Sequence, residues 1–465
     1  MKCTAIVLAA GEGKRMRSRT PKVLHPVCGK PMIGHVVEAV RRTANRVIVV
    51  VGRGAEAVQA YLGDAVEYAV QPEPLGTGHA VMQARSLVES GEAEVVLVAS
   101  GDSPLIRPET LEEMVRLHAE KRAAVTLLTA ERDDPGGYGR VVRAADGSVA
   151  RIVEDKDCSP EEAAVKEINA GVYCFDRRLL FSALARVTNR NAQGEYYLTD
   201  VVGILCAEGA TAAAFKTSDP AEAFGVNDRL ALAEAERLMR RRINRHHLQN
   251  GVTMIDPDRV YVDADVEIGP DTVLYPGVSL RGRTRIGAEC VIGPDADITD
   301  SDIGDRVKIR YSVLAGARVG PDSDVGPFAY VRPGSVIGAS VRVGDFVEIK
   351  NSTIGDGSKV PHLSYVGDAR VGSGVNIGCG AITANYDGYR KHTTIIEDGA
   401  FIGSNVNLIA PVRIGRGAYV VAGSTITHDV GEDELAIARE RQINKPGYAS
   451  RLRERIRNRS ADSRD

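Results

Sequence analysis

The residues best suited to chemistry fall in two groups, one in each half of the chain. In the first, Gly11-Glu12-Gly13-Lys14-Arg15 follows the apolar run 4–10 directly, and Asp102 follows a second apolar run, 95–98. Small residues and glycine let backbone N–H groups approach phosphate oxygens, and Lys14, Arg15 and Arg17 add positive charge. A carboxylate beyond a strand end can hold Mg2+ between two phosphates. The loop is no dinucleotide fingerprint, because Met16 stands where the third glycine would, and it is no Walker A motif. In the second group, Arg332 and Lys350 stand 18 residues apart, followed by His362. Taken singly, these residues also have plainer readings. An Asp after a strand is more often a turn residue or a cap, and Asn227 would cap the helix that follows it. Glu154 sits in a charged run, and a lone His on a repeat is more often a surface residue.

The elements that must position these groups differ between the halves. A chain of 465 residues exceeds one ordinary core. With 43% hydrophobic and 26% charged residues it has the composition of a soluble globular protein. A net charge of −3 gives no case for binding nucleic acid or inserting in a membrane. Seven cysteines, an odd number without a C-x-x-C pair, fit a reducing cytoplasm better than a disulfide framework or a zinc site. Up to about residue 225, apolar runs at 5–8, 47–51, 95–98 and 125–128 alternate with helical patterns such as 33–42 and 110–121. Continuous β-branched runs suit a mostly parallel sheet covered on both faces, so this half reads as doubly wound, Rossmann-like α/β. Ligands then belong beyond the carboxyl ends of the strands. Residues 228–250 read as one charged linker helix. From about 252 an aliphatic residue followed by Gly recurs fourteen times, from Ile268-Gly269 to Ile414-Gly415, mostly at multiples of six. That is a hexapeptide repeat, read as a left-handed parallel β-helix with three hexads per coil. Arg332 and Lys350 then stack one coil apart, about 4.8 Å, where they repel unless an anion lies between them. Either a phosphate does so or Glu348 screens them. Ser404 and Ala422, also 18 apart, line one groove. Residues 383–394 break the repeat and read as an extruded loop, and the basic tail after Tyr448 is expected to fray. The expected domains are 1–227, the linker helix 228–250, and 251–465.

The opening run resembles the nucleoside-diphosphate-sugar pyrophosphorylases, whose motif L-A-A-G-x-G-x-R-M is followed by P-K, here Pro21-Lys22. Further matches are Gln71 with Leu75-Gly76-Thr77-Gly78-His79-Ala80, Ser100-Gly101-Asp102, Gly137-Tyr138-Gly139-Arg140, Glu154, Asn169-Ala170-Gly171 and Gly225-Val226-Asn227. In the second half, Pro361-His362-Leu363-Ser364-Tyr365 matches G-H-L-x-Y with Pro for the first Gly. Over about 5–445 the chain resembles the bacterial bifunctional N-acetylglucosamine-1-phosphate uridyltransferase/glucosamine-1-phosphate acetyltransferase family.

This resemblance implies two reactions making UDP-N-acetylglucosamine. Acetyl-CoA acetylates glucosamine 1-phosphate, and the resulting N-acetylglucosamine 1-phosphate attacks UTP and expels pyrophosphate. It implies Mg2+ on Asp102 and Asn227, with Arg15, Lys22 and the loop Leu8-Ala9-Ala10-Gly11 at the triphosphate. Gln71, Gly76 and Thr77 would meet the uracil, Gly139, Glu154 and Asn169 the sugar, and Ser100 and Gly101 belong to the same site. His362 would be the general base of acetyl transfer. Arg332, Lys350, Tyr365 and Asn376 would hold glucosamine 1-phosphate; Cys379, Asn385, Tyr386, Ser404, Ala422 and Arg439 would hold acetyl-CoA. Cys379 replaces the usual Ala. Enzymes of this repeat class trimerise to build their sites, so a cytoplasmic homotrimer is expected.

Overall fold

The structure, a computed structural model, describes residues 2–461. It divides into two compact units. One holds residues up to Asn250 together with Pro257–Val266 and Leu280–Gly282, and the other holds Gly251–Asp256, Glu267–Ser279 and the chain from Arg283 onward.

In the first unit, seven strands form one sheet in the order Ala212–Lys216, Val125–Glu131, Glu167–Asp176, Val95–Ser100, Cys3–Ala9, Arg46–Val51, Glu67–Val70. All pairings along it are parallel except those of Glu167–Asp176. The reason for the unbroken apolar runs lies in the two faces. Ala5, Val7, Val49 and Leu97 enter one buried cluster, while Ile6, Ile48, Val96 and Val98 enter the other. With helices over both faces, neither side of a strand meets water. The strands extend beyond the apolar runs, Val125–Glu131 by three residues, because pairing continues after the side chains turn polar. A hairpin of Arg140–Arg143 and Val149–Val153 joins the edge of Glu167–Asp176.

The charged helix Arg229–Gln249 belongs to this first unit. Ala235 and Met239 pack with Val27, Cys28, Met32, Leu105 and Val226, so it is a core element and not a free linker. Its N-cap is Asp228, whose side chain accepts from Ala231 N at 2.8 Å. Asn227 is thereby spared the capping task.

The second unit is built of short strands in three parallel sheets. One ladder runs Val273, Val291, Lys308, Asp324, Arg342, Lys359, Asn376, Phe401, Tyr419 and Leu435, one residue per coil. This is the left-handed β-helix of hexapeptide repeats. The aliphatic partners Ile286, Ile303, Val319, Ile337, Ile354, Val371, Ile396 and Ile414 form one buried column inside the prism. Small buried hydroxyls serve the corners: Ser352 Oγ donates to Lys350 O at 2.8 Å and accepts from Ala369 N at 2.9 Å. The coil between Asn376 and Phe401 is longer than its neighbours because it carries the loop between strands Ile382–Ala384 and Thr394–Ile396. The tail does not fray as expected. Tyr448–Ala461 is an α-helix, which Ala449, Leu452 and the arginines favour over coil. Residues 462–465 of that tail lie outside the described residues.

Candidate active sites

Strands Cys3–Ala9 and Val95–Ser100 are neighbours, with Leu8 paired to Ser100, so the loops after them emerge side by side. Between them opens a cleft of about 830 Å³. Of the residues expected there, Leu8, Ala9, Ala10, Gly11, Arg15, Lys22, Gln71, Gly76, Thr77, Ser100, Asp102, Glu154 and Asn227 line it. Gly101, Gly139 and Asn169 instead back the wall. Gly101 N donates to Leu8 O at 2.9 Å, and Asn169 N donates to Gly139 O at 2.8 Å. Lys156, Gln193 and Glu195 line the cleft without having been singled out. Lys156 lies in the short helical turn Asp155–Asp157, Gln193 and Glu195 in a later loop, and Lys156 Nζ donates to Gln193 Oε1 at 2.7 Å.

The loop conformation depends on Gly13. Its φ is +61°, and an added Cβ would lie 2.7 Å from Lys22 Cβ. This close approach seats Lys22, whose ammonium donates to Asp102 Oδ2 and, at 3.2 Å, to Asn227 Oδ1. Ser100 Oγ donates to Asp102 Oδ1 at 2.7 Å and fixes the carboxylate plane. The ammonium sits as a cation between one charged and one neutral oxygen donor. Hard oxygen donors of this kind, with the remaining shell left to phosphates and water, fit a small divalent ion. Among the described residues no group of three or more His, Cys, Asp or Glu is placed to hold a metal, so this sparse pair is the site to consider.

Deeper in, Glu154 Oε1 accepts from Thr199 Oγ1 at 2.9 Å. Burial pushes its carboxyl above the usual range, and the nearby charges of Asp200, Asp157 and Asp155 push the same way. Asn169 Oδ1 accepts from Gly171 N at 3.1 Å, and its Nδ2 donates to the buried Tyr173 hydroxyl at 2.6 Å. Thr77 Oγ1 accepts from Leu198 N at 3.0 Å.

On the β-helix, Val331 pairs with Ile349, so Arg332 and Lys350 fall in one column as expected. Both also have carboxylate partners. Arg332 Nη1 donates to Glu348 Oε1 at 2.7 Å, and Lys350 Nζ lies 3.6 Å from Asp368 Oδ2. A third cation joins them from the extruded loop. Lys391 comes to lie beside Lys350, and the neighbouring ammonium pushes the Lys391 amine below the usual lysine range. Sequence spacing gave no sign of Lys391, because the loop follows no repeat. The loop closes through a Tyr386–Lys391 bridge and through Asp387, which accepts from Tyr389 N, Arg390 N and His392 Nε2 at 2.7 Å each. Asn385 is buried and donates to Asp368, while Tyr386 is exposed.

His362 pairs in the ladder with Asp345 of the preceding coil, and its Nδ1 lies 2.6 Å from Asp345 Oδ1. That hydrogen bond holds the Asp345 carboxyl below its usual range. The imidazole is exposed, so an Nδ1–H donating to Asp345 leaves Nε2 as a free acceptor. Asp345 is a further residue missed in the sequence, since 17 positions separate the two. Tyr365 lies one pairing above Glu348, and Asn376 one above Lys359. Ile377, Ile402 and Val420 are successive ladder partners, so Cys379, Ser404 and Ala422, each two residues on, form one column. Cys379 is a free, exposed thiol, and the Arg439 side chain borders Gly423 at the end of that column.

Residues 4–221 match the nucleotidyl transferase family, and residues 393–428 match the bacterial transferase hexapeptide repeats. The bifunctional protein GlmU of Brevibacillus brevis is 56% identical over 452 residues, 97% of this chain and 98% of its own. That of Geobacillus sp. strain WCH70 is 57% identical over 449 residues, 96% and 98% respectively. Likeness of this degree over nearly the whole length places the chain in the family of bifunctional GlmU proteins, enzymes that join a uridylyltransferase half to a hexapeptide acetyltransferase half.

Proposed function

We propose that the chain makes UDP-N-acetylglucosamine in two steps, as a cytoplasmic homotrimer that uses Mg2+. In the β-helix half, the amine of glucosamine 1-phosphate attacks the thioester of acetyl-CoA. His362 Nε2 takes the amine's proton, Asp345 holds the ring, and the C–S bond breaks so that coenzyme A leaves as its thiol, a proton returning to the sulfur. Arg332, Lys350 and Lys391 receive the phosphate, exchanging their contacts with Glu348 and Asp368 for the stronger anion. Tyr365 and Asn376 complete the sugar site. Acetyl-CoA runs along the column of Cys379, Ser404 and Ala422 toward Arg439, with Asn385 and Tyr386 at the thioester end. A neighbouring copy closes this open face.

In the α/β half, N-acetylglucosamine 1-phosphate attacks the α-phosphate of UTP. Bound at Asp102 and Asn227, the metal would offset phosphate charge. Lys22, with Arg15 and the Gly11 loop, would meet the phosphates. Positioning and charge neutralisation do most of the work in such transfers. Gln71, Gly76 and Thr77 meet the base; Glu154, Asn169 and Gly139 meet the sugar. No helix among the described residues is long and apolar enough to cross a membrane, which accords with soluble substrates.

The observation that carries this reading is the Lys22 ammonium seated between Asp102 and Asn227. The test is mass spectrometry of products from glucosamine 1-phosphate, acetyl-CoA, UTP and Mg2+. UDP-N-acetylglucosamine is the expected product. Accumulated N-acetylglucosamine 1-phosphate alone would overturn the first half's assignment, and UDP-glucosamine would overturn the order of steps.

A further inference from the structure

Gln71 follows the strand Glu67–Val70, and its side chain is buried yet lines the cleft. Its Nε2 lies 3.1 Å from Gly76 O and 3.0 Å from His79 Nδ1. A backbone carbonyl only accepts. Were the amide reversed, Oε1 would face Gly76 O lone pair to lone pair. The nitrogen must therefore stay on that side, and its two hydrogens are both committed. His79 Nδ1 accepts the second, so the imidazole carries its proton on Nε2. One turn along the helix Thr77–Gln83, the half-buried Gln83 amide lies 3.1 Å from that Nε2 and 3.2 Å from His79 O; to accept from Nε2–H it turns its oxygen and gives up the contact with His79 O, a freedom the buried Gln71 lacks. His79 itself is not among the residues lining the cleft, and its ring leans on Tyr196 at 6.4 Å. What faces the cleft is Gln71 Oε1, an acceptor.

We infer that His79 is a specificity-determining positioning residue, fixing the Gln71 amide so that the nucleotide base meets an acceptor. This rests on the reading of Gln71 as the base contact. An acceptor at that place takes the N3–H of uracil. Against cytosine it meets an unprotonated N3, a second acceptor, and the pair repels. The choice between two pyrimidine triphosphates is thus made one residue behind the contact, by the tautomer of a histidine.

The test is uridylyl transfer by the full chain with UTP and with CTP, for His79→Phe, His79→Asn and Gln71→Ala. Acetyl transfer by the other half serves as the check on folding. A lost hydrogen bond of ordinary strength predicts that His79→Phe raises KM for UTP about 5- to 10-fold and lowers the UTP:CTP preference about as much, with kcat within about twofold. His79→Asn, whose Oδ1 can accept, should recover most of that preference. If Gln71→Ala moves both quantities and His79→Phe moves neither, the role of His79 is overturned and the base contact stands. If Gln71→Ala moves neither, the base contact itself falls, and the inference with it. Equal impairment of the Phe and Asn variants would show that His79 acts by packing and would also overturn it.

Discussion

In the proposed acetyl transfer, Asp345 and His362 act as a pair. His362→Ala is expected to slow acetyl transfer about 10²- to 10⁴-fold, the usual worth of a general base, and to leave uridylyl transfer from supplied N-acetylglucosamine 1-phosphate unchanged. Asp345→Ala should slow the same half-reaction by about tenfold or more, since a base without its orienting carboxylate loses tautomer and angle. Separate assays of the two half-reactions check both. His362 could be picked out in the sequence through its motif; Asp345 could not, because nothing in the order of residues says which carboxylate a coil stacks below a histidine. Glu154 yields a prediction of opposite character. Its carboxyl is raised by burial, so the folded state holds its proton more tightly than the unfolded chain does. Stability present in acid is therefore lost as pH rises from the unfolded through the folded value. Glu154→Gln removes that loss and should raise Tm at neutral pH, with the gain shrinking in acid, while weakening sugar binding. Calorimetry across pH, with KM for N-acetylglucosamine 1-phosphate, would test the pair of effects.

At the scale of elements, a ladder turns residues far apart in sequence into neighbours. Arg332 and Lys350 share a column through the Val331–Ile349 pairing, and Lys391 reaches the same place from the loop. Replacing any one of the three by Ala should weaken glucosamine 1-phosphate binding about 10- to 150-fold, in the range of a charge-assisted hydrogen bond of about 1.5–3 kcal/mol, and leave acetyl-CoA binding unchanged. Titration calorimetry with each ligand decides it; a loss of acetyl-CoA affinity instead would displace the phosphate assignment. The column was legible because the repeat is nearly regular there. Lys391 was not, since an extruded loop has no period to count. The α/β strands were legible for a different reason, their double burial, while their ends were blurred because pairing outlasts the apolar run. The Asn227 side chain was misread as a helix cap when taken alone. Asp228 takes that place, and only the helix start could show it.

At the scale of the molecule, the first unit extends beyond the α/β sheet. A fragment of 1–228 lacks the helix Arg229–Gln249 and so uncovers Val27, Met32, Leu105 and Val226. It also lacks Asp265, whose carboxylate lies 2.6 Å from Lys30 Nζ, and Ala264, whose N–H donates to Cys28 O at 2.9 Å. The fragment 1–282 keeps all of these. It should be soluble, monomeric by sedimentation and active in uridylyl transfer, whereas 1–228 should melt at a clearly lower temperature. Equal melting temperatures would mean that the helix adds nothing to this core. The same segments, Pro257–Val266 and Leu280–Gly282, also bear on how the protein is made. A ribosome releases the N-terminus first, but the last pieces of this unit leave it some thirty residues after the helix has ended. At about 5–20 residues per second, that is a delay of about 2 to 6 s. Through that interval the α/β half waits with part of its surface open, so its nascent form is the one a chaperone would meet.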